Sequence, residues 1–114
     1  MSAFEAYLRK GYTPMNKSVA INGTDTIAVW TPQSSMRVCV TDAAISRNSA
    51  GTIAFYWGNL AGSKIAEFMT AGSATISPAI GAWEGTAYDR VLFAKAGVSG
   101  TDGIVVNLTG FEIP

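Results

Sequence analysis

Few residues of this chain have the type and spacing to do chemistry. Asp25, Asp42, Glu67, Glu84, Asp89 and Asp102 are scattered along it. Two of them brought together would make an acid–base pair for glycoside hydrolysis or the start of an oxygen cage for calcium. A calcium loop needs acids at alternate positions, and no Asp-x-Asp spacing occurs. Asp25, Asp89 and Asp102 stand beside turns, where a carboxylate ordinarily accepts from local backbone amides. Histidine is absent, which removes Ser-His-Asp and Cys-His nucleophile systems in their usual form and histidine-ligated zinc. Cys39 is the single cysteine, too few for an internal disulfide or a cysteine-rich metal site. Within Val38-Cys39-Val40 it reads as a small buried thiol. The glycines form neither a phosphate loop nor a dinucleotide fingerprint. No catalytic residue, cofactor or metal is expected, and the chain is read as non-enzymatic.

Aromatic rings are the remaining chemistry. In residues 51–58, Ile53, Phe55 and Trp57 share one face of a strand, and Thr52, Ala54 and Tyr56 share the other. If the first set is core, Tyr56 points away from it, and Trp30 likewise opposes Val29. Trp83 anchors a long glycine-containing loop. Exposed rings at such places stack on sugars or anchor a protein interface, whereas buried ones fill the second sheet. Trp30, Tyr56 and Trp83 are therefore candidate partner-binding residues.

The charge balance narrows the partners. Eight basic and eight acidic residues give a formal net charge of zero, and only the Arg9-Lys10 pair clusters. Phosphate binding needs several clustered cations, so nucleic acid is not an expected partner. Charged residues make up 14% of the 114 against 48% hydrophobic ones, leaving the surface to Ala, Ser, Thr, Gly and Asn. That composition favours burial against protein. The first residues lack the pattern of a signal peptide, and no stretch approaches the roughly 20 apolar residues of a membrane helix. Cytoplasmic synthesis without membrane insertion is the expectation.

The spacing predicts one helix, over residues 2–10. Ser2 and Glu5 have capping-box spacing, Phe4, Tyr7 and Leu8 share a face, and Gly11 supplies the stop. A helix this short is marginal alone and must dock its apolar face, either on its own domain or on a neighbouring subunit as an arm. Phe4, Tyr7, Leu8 and Tyr12 are the residues that would dock. Thereafter the signals are all β: strands near residues 18–22, 26–30, 36–45, 51–58, 64–70, 74–77, 90–95 and 104–113. Asn22-Gly23 suggests a hairpin between the first two, and the apolar pattern of the last changes parity at Gly110, as at a bulge. The fold class expected is all-β, a two-sheet antiparallel sandwich of about eight strands, jelly-roll-like, with residues 1–16 as an N-terminal arm and 17–114 as the sandwich.

Three stretches carry a further likeness: Ala50-Gly51-Thr52-Ile53-Ala54-Phe55-Tyr56-Trp57, Ala74-Thr75-Ile76-Ser77-Pro78, and Ile104-Val105-Val106-Asn107-Leu108-Thr109-Gly110-Phe111-Glu112. Over residues 36–114 the pattern resembles the small β-sandwich structural proteins of tailed bacteriophages, the capsid decoration and head or tail fibre class. The resemblance implies a virion location, a homo-oligomer, with a trimer favoured, and the major capsid protein or another virion protein as partner. The alternative is a carbohydrate-binding module or receptor-binding fibre protein that uses one of the aromatics as a stacking platform.

Overall fold

Ser2 starts a helix and Gly11 ends it. The computed structural model describes residues 2–22, 26–47, 50–58, 64–70, 73–97 and 103–114. In α1 (Ala3–Arg9) the Ser2 hydroxyl accepts the Glu5 amide at 3.1 Å and donates to the Glu5 carboxylate at 3.2 Å. Gly11 takes a φ of 90°, the left-handed stop that costs a glycine nothing.

Among the described residues nine strands follow: β1 (Met15–Ile21), β2 (Thr26–Trp30), β3 (Arg37–Arg47), β4 (Gly51–Trp57), β5 (Lys64–Thr70), β6 (Ala74–Ile76), β7 (Trp83–Glu84), β8 (Leu92–Ala96) and β9 (Ile104–Ile113). One sheet has the order β1-β9-β3-β6, with β7 also on β3; the other has the order β2-β8-β4-β5. Every pairing is antiparallel. This is the strand order of a jelly roll, with β7 added on the way from β6 to β8.

The order corrects one expectation. β1 and β2 do not form a hairpin, because β1 pairs with β9 and β2 with β8 in opposite sheets. Val19, Ile21, Ile27 and Val29 do converge, but across the core. Alternation marks which face of a strand is buried and is silent on which sheet the strand joins. The turns expected at residues 22–25, 47–51, 58–63 and 97–103 lie wholly or partly outside the described residues.

Side chains of both sheets meet in one core, where Ile21, Trp30, Val40, Ile45, Phe55, Leu92 and Val106 are fully buried. Trp83 joins it with its ring 5.0 Å from Phe55 and 6.0 Å from Phe68. Arg47 crosses to the opposite sheet, its Nη1 donating to the Thr52 carbonyl at 2.9 Å.

Of three register shifts among the described residues, one lies between Phe55 and Tyr56, where β5 carries the extra residue Ile65, and the other two set the fine structure of the core and the larger sheet. Between Ala28 and Trp30 the β2 register shifts by one residue, so Val29 and Trp30 are both buried. A second shift lies in β3 at Thr41, between Val40, opposite Gly110, and Asp42, opposite Thr109. The parity change read at Gly110 therefore has another origin. β9 runs on without a bulge, and its outward face turns apolar at Phe111 and Ile113 because a second hydrophobic cluster covers it there. Inward, Glu112 is only 9% exposed; it accepts Trp30 Nε1–H at 2.9 Å and the Gln33 amide at 2.8 Å. These two bonds satisfy a carboxylate that would otherwise be costly to bury.

At the β3 bulge the two backbones crowd. A Cβ on Gly110 would stand 2.0 Å from the Cys39 carbonyl oxygen and 2.9 Å from Val40 Cα. Both are main chain and cannot step aside. Gly110→Ala is expected to cost at least about 2 kcal/mol in urea unfolding. Gly103→Ala, whose Cβ would meet only Asn22 Oδ1 at 3.6 Å, is the matched control and should stay near wild type. Equal midpoints for the two would contradict the crowding.

Candidate interaction surface

Beyond the bulge, the outer face of β3 and β9 presents Cys39, Phe111 and Ile113. Three apolar residues on a sheet's solvent side require a cover, and α1 supplies it with Phe4, Tyr7 and, just past its end, Tyr12. Phe4 and Tyr7 lie 5.4 and 5.5 Å from the Phe111 ring, and Tyr7 lies 6.2 Å from Tyr12. A polar chain fixes the edge of this patch. The Tyr7 hydroxyl donates to Glu84 Oε2 at 2.5 Å, and Arg37 Nη1 meets Glu84 Oε1 at 3.3 Å. The same guanidinium donates to the carbonyls of Gly85 and Pro114. Glu84 and Arg37 are thus engaged in holding the helix.

Burial, then hydrogen bonding to Cys39 and Glu84, pushes the Tyr7 phenol well above its ordinary value near 10. Burial also raises the Cys39 thiol, against the lowering effect of the Tyr7 bond. A thiol so placed is inert as a nucleophile. Of the four N-terminal residues expected to bind a partner, Phe4, Tyr7 and Tyr12 pack on their own chain. Only Leu8, at 46% exposure, is left outside.

The rest of that outer face is open. Its registers bring Asn16 beside Thr109, Asn107 beside Ala44 and Ser46 beside Thr75. Hydroxyl and amide bonds tie neighbouring strands here: Thr109 Oγ1–H to Asn16 Oδ1 at 2.7 Å, and Ser46 to Thr75 at 3.1 Å. Asp42 is the one charged side chain among the paired residues of this face. Between the stretches of β3 paired with β6 and β7, residues 41–44 have no strand partner on that edge among the described residues. There a hollow of about 360 Å³ opens, walled by Ala44, Ser77, Ala79 and Asn107.

The expected aromatic platform is mostly internal. Trp30 is 1% exposed and Trp83 8%, so neither offers a ring face to a partner. The β2 bulge turns Trp30 inward, and pairing with β3 turns Trp83 over Phe55. Tyr56 does face outward on β4, half-buried beside Phe93. It borders a shallow cleft of about 190 Å³ with Thr52, Glu67 and Lys95. The acids do not gather: among the described residues no group of three His, Cys, Asp or Glu could hold a metal. Asp89 Oδ1 accepts the Ser35 amide at 2.7 Å, a bond to a turn 54 residues away in the chain instead of to the local backbone expected. Asp25 and Asp102 lie outside the described residues. Glu112 is the acid that sequence spacing passed over, since its only signal is a lone carboxylate between two apolar neighbours.

No family model matches this chain, and no curated protein is similar to it. Among solved structures it is similar to the subunit of Bacillus endospore appendages, described as disulfide-linked pili, with a TM-score of 0.52 and 14% identity over 90% of this chain and 91% of that one. Two viral shells also appear among its structural neighbours. The cyanophage Pam1 capsid gives a TM-score of 0.45 and 18% identity, covering 90% and 84% of the two chains. The virus-like particle of extra small virus from the giant freshwater prawn Macrobrachium rosenbergii gives 0.43 and 11%, covering 91% and 80%. At these identities the likeness is one of fold. Among the described residues, no helix is long and apolar enough to cross a membrane.

Two outcomes test the docking of α1. The raised phenol and thiol favour their neutral forms in the folded state. Their contribution to stability is whole below their ordinary values near 9 and 10 and is lost as pH rises past them. The melting temperature should fall from pH 9 to 11, and less steeply in Tyr7→Phe; parallel curves would remove Tyr7 from the account. Deleting residues 2–10 should turn Cys39 from unreactive to rapidly labelled by an aromatic disulfide reagent at neutral pH, in a protein that keeps its β circular dichroism. A thiol that stays protected would show that the helix is not its cover.

Proposed function

We propose that the chain is a non-enzymatic structural protein of a bacteriophage virion, a capsid decoration protein that binds the outer shell as an oligomer. The observation that carries this reading is the open half of the β1-β9-β3-β6 face. It is nearly uncharged and built mainly of Ser, Thr, Asn and Ala around the exposed Val105, with two side-chain hydrogen bonds tying neighbouring strands. Burying such a surface costs little side-chain entropy and little charge desolvation, and charged residues are what protein interfaces tend to lack. The sequence-level resemblance to tailed-phage decoration and fibre proteins supports the same reading and suggests a trimer. The structural neighbour with a TM-score of 0.52 belongs to appendages described as disulfide-linked pili. A lone buried Cys39 does not suit that linkage.

The carbohydrate reading now rests on Tyr56 alone, one half-buried ring beside a shallow cleft.

Antibody raised against the purified protein is expected to label the outside of intact virions from the source culture. The purified chain should bind shells stripped of it, at a fixed stoichiometry. Ala44→Lys, which sets a charge in the middle of the open face, should abolish shell binding at an unchanged melting temperature. Virions that carry no label would sink the virion reading. Full binding by Ala44→Lys would move the contact elsewhere. Retention on a glycan column, lost in Tyr56→Ala, would favour the carbohydrate module.

A further inference from the structure

The opposite outer face, on the β2-β8-β4-β5 sheet, has a charge pattern of its own. The registers align Lys95, Ala54 and Glu67 in one row across β8, β4 and β5. Ala54 is 3% exposed and floors the cleft, with a cation on one side and an anion on the other. Among the described residues Lys95 makes no ion pair, and Glu67 has only an exposed contact with Lys64 at 3.4 Å. The next row holds Met69, 74% exposed, with Thr52 between it and Gly97. On the other side of the charged row, Phe93 and Tyr56 lie side by side, followed by Lys64.

We propose that this face packs on the same face of a second copy, about a two-fold axis running along β4 over Ala54. That operation exchanges the two flanks of every row. It sets Lys95 over Glu67 of the second copy and Glu67 over its Lys95, two ion pairs around a small centre. Met69 then falls above Gly97, which has no side chain, and the Lys64 stem falls above Phe93, a contact long cationic side chains make readily. A two-fold axis across the strands would instead oppose Lys95 to Lys95 and Glu67 to Glu67, which like-charge repulsion disfavours. The pattern therefore selects one isologous pairing. Ala54 at its centre lets the two sheets approach to the spacing of roughly 10 Å at which sheets pack. The proposal deepens the assembly reading by naming one contact and its partner. It rests on that reading only in taking the chain to be a subunit, and it puts an even-numbered oligomer in place of the trimer that the resemblance suggests.

Sedimentation velocity on the full chain at low salt reads this contact. Lys95→Glu and Glu67→Lys each place like charges together, and each should halve the mass of the wild-type oligomer. The double variant Lys95→Glu/Glu67→Lys restores both pairs and should restore the mass. Both positions of the cycle lie on the outer face of the sheet, and a melting curve confirms that each variant is folded. A single reversal that leaves the mass unchanged overturns the pairing, as does a double variant that stays at half mass or a wild type with an odd number of chains. None of these outcomes alters virion labelling, and absence from virions leaves the mass of the purified chain as it is.

Discussion

The Cys39 carbonyl lies where a Cβ on residue 110 would have to stand, and much of the larger sheet follows from that close approach. It is the point at which β3 takes in one extra residue, Thr41, while β9 takes in none. A strand's side chains alternate faces, so one inserted residue exchanges inside for outside along the remainder of β3. Ala43 and Ile45 point into the sandwich on one side of the bulge, and Val38 and Val40 on the other. Without the bulge Cys39 would face inward and the two valines outward. Thr41 is held at the site by a bond from its hydroxyl to the Thr109 carbonyl at 3.2 Å.

The consequences divide the molecule's surface. Past the bulge the outer face is apolar, and the chain covers it with its own first residues. A helix too short to persist alone is stabilised by Phe111 and Ile113 beneath it and by the Tyr7–Glu84–Arg37 chain at its rim. Before the bulge the outer face is made mostly of small polar residues, with Val105 exposed among them. The inner side at the same end gains a buried carboxylate, Glu112, whose partners come from the end of β2 and the loop after it. One sheet thus has a self-covered half and an open half, while the other sheet presents opposite charges on either side of Ala54.

Local signals in the sequence were sufficient for the pieces. Ser2, Glu5 and Gly11 bound the helix because caps act within a few residues. The alternation of Ile53, Phe55 and Trp57 marks β4, and turn residues at intervals of about ten mark an all-β sandwich. The absence of histidine and the solitary cysteine removed whole classes of chemistry before any contact was known. The tertiary structure decided what depends on pairing. The choice of sheet for β1 and β2 is a long-range matter that an Asn-Gly turn cannot dictate. Trp30 went inward because of a single register shift, which leaves no mark in composition. Trp83 went inward because a two-residue strand joined β3. The outward Phe111 looked like a change of phase, and only the docked helix accounts for it. Period and capping are written in neighbouring residues; register, bulges and the partner of each face arise from residues far apart in the chain, and so they appear only when it is folded.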